Sequence, residues 1–536
     1  MVIMAVTANK VRPLRVQPGV FRPAPLAGAL SIWIALLACP AAALEWDFTP
    51  TLGGSATFTD NVNQSANNAE SSFILTATPG FRLQSRGSRR LQAGMFYGLT
   101  GVTRTGEGQD DSLYSSLNAN ANAELVEDFL FLDAHAGVSQ QLISLLGSQA
   151  DPSINDTNRA ATGSYSISPY IKQRFGNFAD AELRYSTTGA IFENDAAPNS
   201  NANAVTAGLS SGTDFNNLSW GINYSLRKAQ NSGTADTTFE RASATVGYEL
   251  TRKFRVFGTV GQDWNDYLST SKVDGSSWSA GFGWSPTRHT SFDASMGERY
   301  FGNTYSFSVS HLTRLSQWTA RYSENVSDIS QHLLEESSRT YWKCPVGGRN
   351  FYALVTDPNQ PPASTCTGPH SPFELIGLAT SPVEQAVLGQ AMARFGDISI
   401  ASANGVFIIK SFIAGVSWDL GKLGIGLSAH DTKRLYQALS DAQDHVQGVT
   451  GSVSYRLSHR TTASSSLSLT RNSIDALLAG GTAREDDLLS IHLGLNHRFA
   501  DKLNGALTLR HIQRDSNDAN SDYDENNITA SFNLSF

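Results

Sequence analysis

The chain has 536 residues, 16% of them charged and 40% hydrophobic, with a net charge of −8. A charged fraction well under the usual quarter argues against an ordinary soluble enzyme, and the acidic balance argues against a nucleic-acid partner. Mean hydropathy is slightly negative, and only one apolar run approaches the roughly 20 residues of a membrane helix, so a helical membrane protein is excluded as well.

That run lies near the start. Lys10, Arg12, Arg15 and Arg22 precede "LAGALSIWIALLACPAAA" (26–43). A basic region, an apolar core and the small residues Ala41, Ala42 and Ala43 make a secretory signal, with the mature start expected at Leu44. The basic region is long enough that Met4 is an alternative initiator. Leu36-Leu37-Ala38-Cys39 also has the shape of a lipoprotein box, although Pro40 argues against it. Removing residues 1–43 takes away four positive charges and no acids, which moves the net charge from −8 to −12.

From Trp46 onward, apolar and small polar residues alternate. Leu218, Trp220, Ile222, Tyr224 and Leu226 alternate with Ser219, Gly221, Asn223, Ser225 and Arg227. Trp278, Ala280, Phe282 and Trp284 alternate with Ser279, Gly281 and Gly283. Leu489, Ile491, Leu493 and Leu495 repeat the pattern. A period of two puts each set on one face of a strand. The apolar face carries Trp and Tyr near segment ends, as in the aromatic girdles of a membrane barrel.

Connections alternate in length. Short ones such as 86–89, 176–177, 251–253, 286–289, 420–422, 458–460 and 500–502 separate longer polar ones such as 106–112, 143–158, 193–203, 231–237 and 514–526. Short periplasmic turns and long outer loops produce this parity. The count predicts one antiparallel transmembrane β-barrel over 44–536, of about 22 strands (range 16–24), with both termini periplasmic. The stretch 398–418 reads as one strand or two.

One connection is out of scale. Residues 328–397 hold Cys344, Cys366 and seven prolines. In an exported chain the two cysteines are expected to form a disulfide, the alternative being two thiols. Within this insert "SPVEQAVLGQAMARF" (381–395) predicts a helix, with Ser381 as N-cap, Pro382 at the first helical position and Glu384 as the reciprocal cap. By parity the insert lies outside the barrel or folds into its mouth.

The chain closes on "NNITASFNLSF". Ile528, Ala530, Phe532, Leu534 and Phe536 alternate with Asn527, Thr529, Ser531, Asn533 and Ser535. A strand needs a neighbour on each edge, so the last is expected to pair with the first. Phe532, Leu534 and Phe536 are the expected signal for the barrel-assembly machinery.

The polar faces hold the candidate binding residues. Arg82, Arg90, Arg174, Arg184, Arg227, Arg241, Arg321, Arg498 and Arg510 fall on the side assigned to the lumen, with Asp133, Glu182 and Glu249. An Arg facing lipid near the midplane costs roughly 2–4 kcal/mol, which favours the inward assignment. Such a lining either holds acidic sugars or phosphates by bidentate contacts or pairs with lumenal carboxylates and braces the wall.

Several short motifs together resemble a family of outer-membrane proteins associated with bacterial PEP-CTERM/exosortase systems. They are "WDFTPTLGGSATFTDNVN", "FILTATPGFRLQSRGSRRLQAGMFYGL" and the terminal Phe536, with Trp46, Pro50, Asp60-Asn61 and Pro79-Gly80 as the recognisable points. The resemblance implies a place in polysaccharide export or in displaying surface proteins. It brings no catalytic residues with it.

Other chemistry is thin. "GLSSG" (208–212) matches the pattern of a nucleophile elbow, but Ser210 stands in an alternating segment where a strand–turn–helix is required. No histidine pair has zinc-ligand spacing, and His311, His497 and His511 read as strand or interface residues. "DSNDANSDYDE" (515–525) lacks the glycine and final glutamate of a calcium loop. It reads as a solvated acidic loop, as does "EDD" (485–487). No metal, cofactor or catalytic site is assigned. The expected partners are outer-membrane lipid and lipopolysaccharide, the assembly machinery and polysaccharide.

The functional readings are a channel or scaffold in exopolysaccharide export and, as the alternative, a general or substrate-specific porin. A ligand-gated receptor needs a plug domain ahead of the first strand, where this chain places strand-like sequence directly after the signal. A membrane hydrolase needs an assembled nucleophile and base.

Overall fold

The computed structural model describes residues 45–87, 90–105, 110–144, 147–149, 151–193, 198–232, 236–267, 273–328, 331–332, 341–346, 349–354, 366–370, 405–437, 442–475, 482–518 and 520–536. The signal segment 1–43 and the predicted helix 381–395 lie outside the described residues.

Twenty-two strands form one antiparallel sheet that closes on itself. The first strand, Glu45–Thr59, pairs with the second, Ser72–Arg86, and also with the last, Tyr523–Ser535. Closure runs from Thr51 opposite Ser535 to Thr59 opposite Asn527, and Phe536 adds a bond from its N–H to the Pro50 carbonyl at 3.0 Å. The final strand therefore has a neighbour on each edge.

The exterior is apolar. Leu113, Val260, Val246 and Ile222 are 64%, 63%, 56% and 54% exposed, which a water-soluble surface would not sustain as a continuous belt. On the strand Val273–Thr287, Trp278 and Trp284 both point outward, and six residues at about 3.3 Å each put them roughly 20 Å apart. That separation suits the two girdles of an apolar band about 25 Å tall. The protein is an outer-membrane β-barrel.

At the end where Glu45 and Ser535 stand every connection is six residues or fewer, which marks it as the periplasmic end. Strand irregularities at Glu124/Val126, Glu249/Thr251, Trp284/Thr287 and Arg498/Ala500 all fall beside these turns, where a bulge tightens the reversal. Gly176, in the turn 176–178, has φ +59°. Outer connections are mostly longer, but 300–301 has only two residues, so length alternates less strictly than the sequence suggests.

The described part of 398–418, from 405 on, forms one strand, Val406–Asp419. The long connection before it runs from 329 to 405 and contains a separate three-stranded sheet: Tyr341–Val346, Arg349–Leu354 and Thr367–His370. The strands lie ahead of the expected helix at 381–395, which falls outside the described residues. Cys366 is disulfide-bonded. The register Lys343 to Thr367 brings position 344 of the first of these strands near 366, which immediately precedes the third, while the Cys344 side chain lies outside the described residues.

Strand prolines mark breaks in the ladder. Between the strands Ser72–Arg86 and Leu91–Arg104, pairing runs to Ala77 opposite Gly101 and resumes at Gly80 opposite Gly98. Pro79, which has no N–H to give, sits in that gap. Pro169 occupies a similar gap between Ile167 and Tyr170.

Candidate functional site

Alternation places eight of the nine expected arginines on interior-facing positions. Arg90 is the exception: it precedes the strand Leu91–Arg104 and pairs with Glu127 in the next periplasmic turn. The wall formed by Leu130–Leu142, Arg159–Phe175 and Ala179–Phe192 holds a braced cluster. Arg184 pairs with Asp133 at 2.8 Å and Glu182 at 3.1 Å, and its guanidinium lies 3.7 Å from the Tyr170 ring centroid. Tyr170 stacks on Phe131 at 5.1 Å. Arg174 pairs with Asp180 at 2.9 Å nearer the periplasmic mouth. Here the arginines act as braces between strands. Arg82, Arg321, Arg498 and Arg510 face inward on other parts of the wall and are not brought together with these.

The outer end of the interior is bridged in two places. In the first, the loops 60–71 and 143–158 fold inward. Val62 and Ile154 from these loops pack with Ile74, Val102 and Tyr114 of the inner wall. Arg104, with a side chain only 4% exposed, donates from Nε to the carbonyls of Ser153 and Ile154 at 3.2 and 3.1 Å. Its Nη2 reaches the Pro152 carbonyl at 3.1 Å. Gln64 donates to Glu525 at 2.6 Å and accepts from Ser148 at 2.7 Å. Arg514 donates to the Gly147 carbonyl at 2.8 Å and pairs with the buried Asp486, which also pairs with Arg484. Removing one partner of such a buried pair costs about 3–5 kcal/mol.

In the second bridge, Arg227 of Leu218–Asn231 pairs with Asp328 of Ser316–Asp328 through both carboxylate oxygens. Five strands separate these two along the wall, so the contact crosses a chord of the interior. Beside it, Phe239 stacks on Tyr267 at 5.4 Å, and the Tyr267 and Tyr300 hydroxyls meet at 3.4 Å. Arg299 lies against the Tyr300 ring and pairs with Asp263 at 2.7 Å. Arg241 stands directly across from Asp263 on the neighbouring strand. Burial raises the Tyr267 and Tyr300 phenols above their ordinary value, so both stay neutral. Arg227 and Arg241 are the two sequence-expected residues that meet here. Arg299 was missed, because it ends a strand beside the two-residue outer turn.

Below this cluster the wall of Thr237–Thr251, Phe254–Asp266, Val273–Thr287 and Thr290–Arg299 is lined by small residues. A Cβ on Gly281 would lie 2.4 Å from Phe257 Cζ, and one on Gly283 would lie 2.5 Å from Arg255 Nε. The tip of the Phe257 ring therefore reaches over Gly281, and Arg255 pairs with Asp293 at 2.7 Å beside it.

Ser210 is a residue of the strand Ser200–Ser211, with Oγ 3.5 Å from the Asp180 carbonyl. The carboxylates of 515–525 turn to separate partners: Asp518 to Arg484, Asp522 to the Ser516 N–H and buried Glu525 to Gln64. Asp486 corrects the solvated reading of 485–487, since it is fully buried between Arg484 and Arg514.

No family model and no curated protein matches the chain. Among solved structures, it is similar to the FrpB iron transporter from Neisseria meningitidis, with a TM-score of 0.46 and 10% identity over 91% of this chain and 83% of that one. It is also similar to the siderophore receptor PirA from Acinetobacter baumannii, with a TM-score of 0.45 and 9% identity over 91% and 80%. At these scores the likeness carries no argument about function.

Proposed function

We propose that the chain is an outer-membrane channel or scaffold serving exopolysaccharide export in a PEP-CTERM/exosortase surface-protein system. The observation that carries this reading is the interior itself. A wall of glycine, serine and threonine passes the aromatic ring of Phe257, which reaches over Gly281, and ends among arginines, carboxylates and neutral tyrosines at Arg241, Arg299, Tyr267 and Tyr300. Polyhydroxylated chains bind such surfaces through hydrogen bonds and ring contacts. The motif residues Trp46, Pro50, Asp60-Asn61 and Pro79-Gly80 support the same reading. Outer-membrane lipid and lipopolysaccharide meet the apolar belt, and the assembly machinery reads Phe532, Leu534 and Phe536.

A porin is the second reading, favoured by the inward fold of 143–158, which narrows the mouth as a size filter would. Conductance of the purified protein in planar bilayers separates the two. Host polysaccharide is expected to reduce the current, and loss of the gene is expected to retain polymer in the periplasm. An open pore indifferent to polysaccharide, in a strain that secretes normally, overturns the export reading.

A further inference from the structure

Among the described residues, the cluster at the outer end of the interior has more positive than negative charge. Arg227, Arg241 and Arg299 face two carboxylates, Asp263 and Asp328. Asp263 is held by Arg299 through both oxygens, at 2.7 and 3.4 Å. Asp328 is held by Arg227 in the same bidentate way. The acids nearest in sequence lie on exterior positions: Glu240 accepts from Tyr224 at 2.9 Å on that side, and Asp266, Asp274 and Glu298 alternate with the interior residues. Arg241 makes no hydrogen bond or ion pair among the described residues, although Asp263 stands opposite it. A half-buried guanidinium beside the like charge of Arg299 gains most from an added anion.

A second feature gives the anion a polymer. The station of Arg255, Asp293 and Phe257 begins at Phe257, six residues below Asp263 on the strand Phe254–Asp266 and about 20 Å away at 3.3 Å per residue, with Arg255 two residues further down. Between the two stations the wall carries Thr259, Gly261, Ser277, Ser279, Ser295 and Gly297, which present no bulky side chain. A chain lying along this wall meets an aromatic ring at one end and a surplus guanidinium at the other.

We propose that Arg241 is an anion-binding station in the outer part of the lumen, and that it holds a carboxylate of an acidic polysaccharide segment lying along this wall. The polymer rests on the export reading; the anion station does not. Full-length mature protein in detergent micelles is titrated calorimetrically with an oligouronate, with a neutral oligosaccharide of equal length and with inorganic phosphate. The oligouronate is expected to bind, and Arg241→Gln to weaken it about tenfold, as loss of one charged hydrogen-bonding partner implies. Arg241→Lys retains part of the affinity, since the charge stays and the fork is lost. Arg288→Gln, in the exposed periplasmic turn 288–289, leaves it unchanged. Heat-modifiable migration confirms that each variant is folded. Equal binding by wild type and Arg241→Gln overturns the station. Arg241-dependent binding of phosphate with none of oligouronate overturns the polymer assignment. Arg241-dependent oligouronate binding in a protein whose gene loss leaves secretion intact upholds the station and removes the export reading alone.

Discussion

Gly80 and Gly451 have the same side chain and opposite surroundings. A Cβ on Gly80 would lie 2.5 Å from the Tyr97 carbonyl oxygen and 3.3 Å from Gly98 Cα. Both are backbone atoms, so relief requires the strands to move apart. A Cβ on Gly451 meets nothing within 4 Å. Gly80→Ala is therefore expected to lower stability by about 1–3 kcal/mol, and Gly451→Ala to stay within about 0.5 kcal/mol. Urea unfolding in vesicles, followed by tryptophan fluorescence, checks both, and equal midpoints would contradict the close approach. The same contact explains why Pro79-Gly80 stands out in the sequence. Proline removes a ladder bond and glycine lets the neighbouring strand come nearer, so one recognisable motif has a structural cause. Asp60-Asn61 is another. Asp60 accepts from the Asn526 N–H at 2.7 Å, and Asn61 donates to the Asp524 carbonyl at 2.8 Å. Both tie the first strand to the last.

At the scale of elements, strands were legible and their inward contacts were not. Alternation reports which face a residue takes, and it is local: Leu489, Ile491 and Leu493 declare their strand without help from elsewhere. The partners of Arg104 lie about 50 positions away, in a loop whose composition reads as ordinary polar connection. Its one signal was Ile154, an apolar residue among Asp, Asn and Ser. Asp486 carried a stronger signal. It shares interior parity with Arg484 and His492, and a carboxylate on that face at the outer end asks for a cation. The inward loop yields a prediction. Arg104→Gln removes several bonds to buried carbonyls, each worth about 1–3 kcal/mol when left unmade, so the loop should detach more often. Hydrogen exchange across 143–158 is expected to quicken, and single-channel conductance to rise toward that of a chain in which 147–156 is replaced by a short glycine–serine link. If the shortened chain conducts like the wild type, the loop does not narrow the path.

The whole molecule depends on one seam, because every other pairing joins strands that follow one another along the barrel. Thr57 and Thr529 sit opposite each other across it, with hydroxyl oxygens 2.9 Å apart and 472 positions between them in sequence. Thr245 and Thr259 show the same 2.9 Å contact between consecutive strands. Cysteines placed at either pair are close enough for a disulfide. The double variant Thr57→Cys with Thr529→Cys should oxidise as readily as Thr245→Cys with Thr259→Cys. Only the first encloses nearly the whole mature chain in a covalent ring, so only it should speed migration of the heat-denatured protein on a non-reducing gel. By chain entropy that ring stabilises the barrel on the order of 5 kcal/mol, read as a higher temperature for loss of the folded band. Thiol treatment should reverse both effects. A seam pair that stays reduced under conditions that cross-link the control would mean an open sheet. The interior would then have no boundary against lipid, and the inward arginines would lose the water that makes their placement affordable.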